Sequence, residues 1–114
     1  MKTLKNIDKQ AEFNTESKRL TELFSDSDVK TKELAAGLIK DAAYLYAENT
    51  VLRDMLSKTG MVRINPNNLQ QQRPIEAAKQ FRANCDTYSS IIGRLYRMLG
   101  EQKAENDDDM EDFE

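Results

Sequence analysis

The side chains in this 114-residue chain with the clearest chemical potential are its spaced cations. Lys2, Lys5, Lys9, Lys18 and Arg19 stand near the start, and Lys58, Arg63 and Arg73 bracket an amide-rich stretch at mid-chain. Ammonium and guanidinium groups pair with phosphate oxygens, so these eight are the candidate contacts to a polyanion such as duplex DNA. Arg82, Arg94 and Arg97 follow further along. None of them forms a dense patch, and for any single lysine a solvated helix face is the default. Repetition changes this: a few charges per subunit, copied around an axis, make an electrostatic band.

Other chemistries lack their residue types. With no histidine and one cysteine, Cys85, the chain has no Ser–His or Cys–His nucleophile pair and no zinc ligand cluster. The four glycines are isolated, so no phosphate-cradling loop or dinucleotide fingerprint exists. Asp107, Asp108 and Asp109 lack the glycine and the terminal bidentate glutamate of a calcium loop. The chain therefore reads as a non-enzyme without cofactor or metal, and Cys85, on an apolar stripe, reads as a small core residue.

The net charge of −3 conceals a division. Residues 1–100 carry 16 Lys/Arg against 12 Asp/Glu, and residues 101–114 carry one lysine against eight carboxylates. A basic body implies an anionic partner, and the acidic end a separate role. Met110 and Phe113, standing among carboxylates, are candidate anchors on a partner protein; a solvating, disordered tail is the alternative.

The elements that must position these residues are helical. In the first half Thr31, Ala35, Leu38, Ala42, Leu45, Asn49, Leu52 and Leu56 alternate by four and three; in the second Ala78, Phe81, Cys85, Tyr88, Ile92, Leu95 and Leu99 keep the same rhythm. The spacing predicts an all-α chain built on a long antiparallel helical hairpin over residues 28–100. A first helix from about 28 to 58 ends at Gly60, and 61–73 form a loop with a brief extended piece and a turn at 65–68. A second helix opens at Pro74 and ends at Gly100. Gly93 inside it marks a close helix crossing. Residues 1–27 form a basic arm and a short helix starting near Phe13, with Phe13, Leu20, Leu23 and Phe24 on one face. Residues 101–114 form a disordered acidic tail.

A second apolar set, Leu34, Ile39, Ala43 and Tyr46 with Ile91 and Tyr96, exceeds what two helices cover. It is the expected interface of a homo-oligomer. Asn49 within the seam reads as a locally bonded amide or as a device fixing register between subunits. No apolar run is long enough to span a membrane and no secretory leader is evident, so a soluble, intracellular protein is expected.

Residues 34–100 resemble the P27-like family of phage terminase small subunits. The resemblance is carried by LAAGLIKDAAYLYAENTVLRDMLSKTGMV, RINPNNLQQQRPIEAAKQF and YSSIIGRLYRMLG. In order, a Leu-rich helix ends in Lys58-Thr59-Gly60, an Asn/Gln-rich loop leads to Pro74, and a last helix closes with Leu95-Tyr96-Arg97-Met98-Leu99-Gly100. The family's Leu-Thr-Pro-like continuation is replaced here by the acidic end, and the N-terminal part is short. The resemblance implies a ring-shaped homo-oligomer in the host cytoplasm that binds double-stranded viral DNA and regulates the terminase large subunit, itself the ATPase and nuclease. Met110 and Phe113 would then meet that large subunit. A helical-hairpin adaptor or chaperone with an acidic partner-binding tail is the alternative, and a small DNA-binding regulator using the basic arm a third.

Overall fold

The computed structural model describes residues 7–60 and 62–112. Their elements run α1 (Lys9–Leu23), α2 (Val29–Thr59), β1 (Val62–Asn65), β2 (Asn68–Pro74) and α3 (Glu76–Asp112). The chain is mostly helical, as its periodicity requires, and elongated at 74 × 31 × 18 Å.

Local chemistry sets the helix ends. The Asp8 carboxylate accepts from the Ala11 amide at 3.2 Å and opens α1, four residues ahead of the expected start near Phe13. Asp28 does the same for α2, accepting from the Thr31 amide at 2.7 Å. At the far end of α2 the Gly60 amide donates to the Leu56 carbonyl at 2.8 Å, with φ at +84°, a conformation that favours glycine.

Three contacts give the direction of α3 against α2. Arg53 lies over the Phe81 ring at 5.4 Å, Asn49 meets Cys85, and the Tyr46 and Tyr88 rings lie 6.4 Å apart. Numbers fall on one helix as they rise on the other, so the pair is antiparallel. Beyond these contacts Ala35, Ile39, Ala42, Ile91 and Leu95 join Leu20 of α1 and its C-cap Phe24 in one buried cluster. The alanines keep α2 slim enough for α1 and α3 to approach it together.

Several expectations change. The segment expected to be a loop is an antiparallel ribbon: Val62 pairs with Pro74, Arg63 with Arg73, Ile64 with Gln72 and Asn65 with Asn68, with a bulge after Ile64. Val62 and Ile64, β-branched and alternating with polar residues ahead of Pro66, favour the first strand, and Asn65-Pro66-Asn67-Asn68 turns the chain back along it. Pro74 consequently closes β2, and α3 starts at Glu76. Gly100 does not end α3, which runs on through residues 101–112, where a disordered tail was expected. Glu101-Gln102-Lys103-Ala104-Glu105 are good helix formers, and one interior glycine costs only about 1 kcal/mol. Gly93 marks no close crossing: a methyl group there would meet only the Arg97 guanidinium, at 3.9 Å.

The last change bears on assembly. Ile39, Ala43 and Ile91 were assigned to a subunit interface, but all three are buried within the protomer. Glu16 and Leu20 of α1, with its C-cap Phe24, are buried, and α1 packs along α2, covering apolar surface expected to meet another copy. Leu23 is turned outward, 44% exposed.

Candidate nucleic-acid interface

The cations predicted to meet phosphate do not gather in one place. Lys2 and Lys5 lie outside the described residues. Lys9, on the first turn of α1, reaches Glu48 of α2 at 3.0 Å. Lys18 is exposed on α1. Arg19 is committed to Glu16, and Lys58 pairs with Asp54 at 3.1 Å one turn back on α2. The β-ribbon register pairs positions 63 and 73, both arginine and far apart in sequence.

The ribbon packs chiefly on itself. Val62 and Ile64 are 43% and 50% exposed, and Pro66, Asn67, Asn68 and Gln70 are exposed as well. The Gln70 amide donates to the Asn68 side chain at 3.1 Å, stiffening the turn. Between positions 53 and 82 six Lys/Arg stand against two Asp/Glu, so this end of the molecule is basic. Residues 101–112 lie at the other end of α3 and hold seven Asp/Glu against one lysine. The molecule thus has oppositely charged poles.

Sequence reasoning missed the main buried polar cluster. Glu16, 2% exposed, sits in the apolar line of α1. Arg19 Nε and Nη2 donate to its two oxygens at 2.8 Å each, and the Tyr88 hydroxyl donates to Oε2. The Arg19 hydrogen bonds hold the Glu16 carboxyl below its ordinary range; burial opposes this, and Tyr88 adds to it. Burial, with the facing carboxylate, pushes the Tyr88 phenol up to about 12. The arrangement ties α1 to α3. Nothing in it provides a nucleophile or an open coordination site. The Glu16–Arg19 spacing was visible in the sequence as an i, i+3 pair, whereas Tyr88 lies 72 residues from Glu16 and gave no signal.

Beside this cluster Tyr46, Asn49, Arg53, Cys85, Tyr88 and Ser89 line an open groove of about 210 Å³. Asn49 donates weakly to the Cys85 sulfur at 3.9 Å, an intramolecular partner within the helix pair. Among the described residues, no three His, Cys, Asp or Glu side chains gather closely enough to hold a metal ion.

Of the assigned interface residues, Leu34 and Tyr96 remain exposed, at 66% and 62%, and Tyr46 is half-buried against Tyr88. Tyr96 and Leu23 share the rim of a small apolar groove between α1 and α3 with Leu20, Ile92, Leu95 and Leu99. Met110 falls within α3, and Phe113 lies outside the described residues. No helix among the described residues is long and apolar enough to cross a membrane. Comparison with protein-family models, curated proteins and solved structures finds no match.

Proposed function

We propose that this chain is the small subunit of a double-stranded-DNA phage terminase, acting in the host cytoplasm as a ring of identical copies. In this reading the ring engages viral DNA, recruits the large ATPase–nuclease subunit and regulates it, and performs no catalysis itself. The supporting observation is a division of labour along the helix pair. One end carries a basic ribbon, while the other leaves Leu23, Val29, Leu34 and Tyr96 exposed beside a thin core. Apolar side chains left open on so slender a protomer favour association with further copies.

Within the ring the contact surface is built from Leu23, Leu34 and Tyr96, since Ile39, Ala43 and Ile91 serve the protomer's own core. The acidic extension of α3, with Met110 and Phe113, docks on the large subunit. The test is reconstitution with a phage terminase large subunit, a Walker-type ATPase–nuclease. Addition of the full chain changes its DNA-dependent ATPase rate, and deletion of residues 101–114 abolishes that change while leaving the oligomer intact. An ATPase rate indifferent to the full chain would count against the proposal.

A further inference from the structure

We infer that the β1–β2 ribbon is the element by which this protein grips duplex DNA. The inference rests on the proposed packaging role and assigns its DNA contact to one place. Three observations point there.

The register pairs position 63 with position 73, two arginines that the sequence separates by a tip of nine residues. The ribbon packs chiefly on itself and joins the end of α2 to the start of α3. It also stands at the basic pole, while the acidic stretch begins roughly 40 Å further along α3 and does not neutralise it.

The alternative occupant of a basic ribbon is the acidic α3 end of a second copy, and the composition of the ribbon decides between them. Six of the eight residues at positions 65–72 are Asn or Gln. Each amide carries both donors and an acceptor. Base edges present both kinds of group, whereas carboxylates only accept, so a surface built for an acidic helix gains nothing from side-chain carbonyls. A two-stranded ribbon also fits the width of the major groove. The ribbon therefore enters that groove, with Arg63 and Arg73 on phosphates and the amides along the base edges.

The test uses the full chain and a fluorescein-labelled 30-bp duplex of mixed sequence, with anisotropy read from 50 to 200 mM salt. Arg63→Ala with Arg73→Ala raises Kd at least tenfold and lowers the slope of log K against log salt by about 2, since each phosphate contact accounts for about 0.9. Lys30→Ala with Lys32→Ala, an equal loss of charge on exposed positions of α2, leaves both within twofold. Arg63→Lys with Arg73→Lys restores the slope, which separates lost charge from a damaged fold. Equal losses from the two alanine pairs would overturn the inference, since DNA would then be held by diffuse charge. So would unchanged binding by the arginine pair, or a fall in oligomer mass with DNA binding retained; in those cases the packaging role still stands. If the unsubstituted chain binds no DNA, that role fails and the inference with it.

Discussion

Replacing Glu16 by glutamine keeps the side chain's shape and removes its charge, and the structure permits the consequence to be worked out. Arg19 is 54% exposed, so water screens its pair with Glu16, and the loss of that pair costs about 0.5–1 kcal/mol. The Tyr88 hydroxyl donates to an ionised oxygen at a largely buried place, a bond worth about 1.5–2 kcal/mol. Glutamine retains one acceptor oxygen and recovers part of this, so Glu16→Gln destabilises by about 1–2 kcal/mol. Glu16→Ala costs about 2–3 kcal/mol, because the Tyr88 hydroxyl is then left facing no acceptor. The assay is urea unfolding followed by circular dichroism at 222 nm, in a cycle with Tyr88→Phe that isolates the pair. The coupling is about 1 kcal/mol at pH 7.

The pH dependence gives an independent check. The folded pKa of Glu16 lies below its ordinary 4.5, so its contribution is present above pH 4.5 and fades as pH falls through the folded value. The gap between the unsubstituted chain and Glu16→Gln therefore closes in acid. Tyr88 titrates in the opposite sense. Its folded pKa is raised from 10 to about 12, so stability present below pH 10 is lost as pH climbs toward 12, and Tyr88→Phe abolishes that loss. A coupling below about 0.3 kcal/mol, or a Glu16→Gln gap as wide at pH 3 as at pH 7, would refute the tie between α1 and α3.

The other perturbations use different parts of the molecule. Gly60→Ala costs about 1–3 kcal/mol, because its backbone, at φ +84° and ψ 169°, occupies a region open essentially to glycine, and thermal unfolding reads the loss. Gly93→Ala in the same experiment stabilises by about 0.5–1 kcal/mol, since the added methyl meets only ordinary contact and the helix gains propensity. Phe24→Ala, at a side chain 1% exposed in the cluster shared by the three helices, costs about 3–5 kcal/mol by urea titration. Leu34→Glu with Tyr96→Glu leaves the helical signal unchanged and lowers the oligomer mass measured by light scattering.

Much of the helical frame was legible in the sequence because its cause is local. The run of Ala35, Leu38, Ala42 and Leu45 at alternating spacing, Asp28 before it and Gly60 after it define α2 to within a residue or two at each end. The ribbon was less legible, since a brief extended piece at Val62 becomes a strand only when the chain returns past it, and Pro74 reads equally as a strand end and a helix start. Long-range geometry was hidden. Nothing in a one-dimensional pattern tells that Ile39 packs with Leu20 and Phe24 of the same chain instead of with another subunit, because either partner demands the same apolar residues. Likewise Glu16 reads as a solvent-facing glutamate until Tyr88 is seen opposite it. Of the candidate site, residue types were legible and their convergence was not: Lys9, Arg19 and Lys58 proved to be paired within the chain, while Arg63 and Arg73 proved to be neighbours.

Everything proposed for this protein depends on copies closing on one another through the apolar surface that one protomer leaves open. Native mass spectrometry of the purified full chain, over a hundredfold range of concentration, measures this directly. The account predicts one closed oligomer of fixed mass that does not grow with concentration. A dimer would favour the adaptor reading, and a folded monomer of 13.1 kDa throughout would contradict the account.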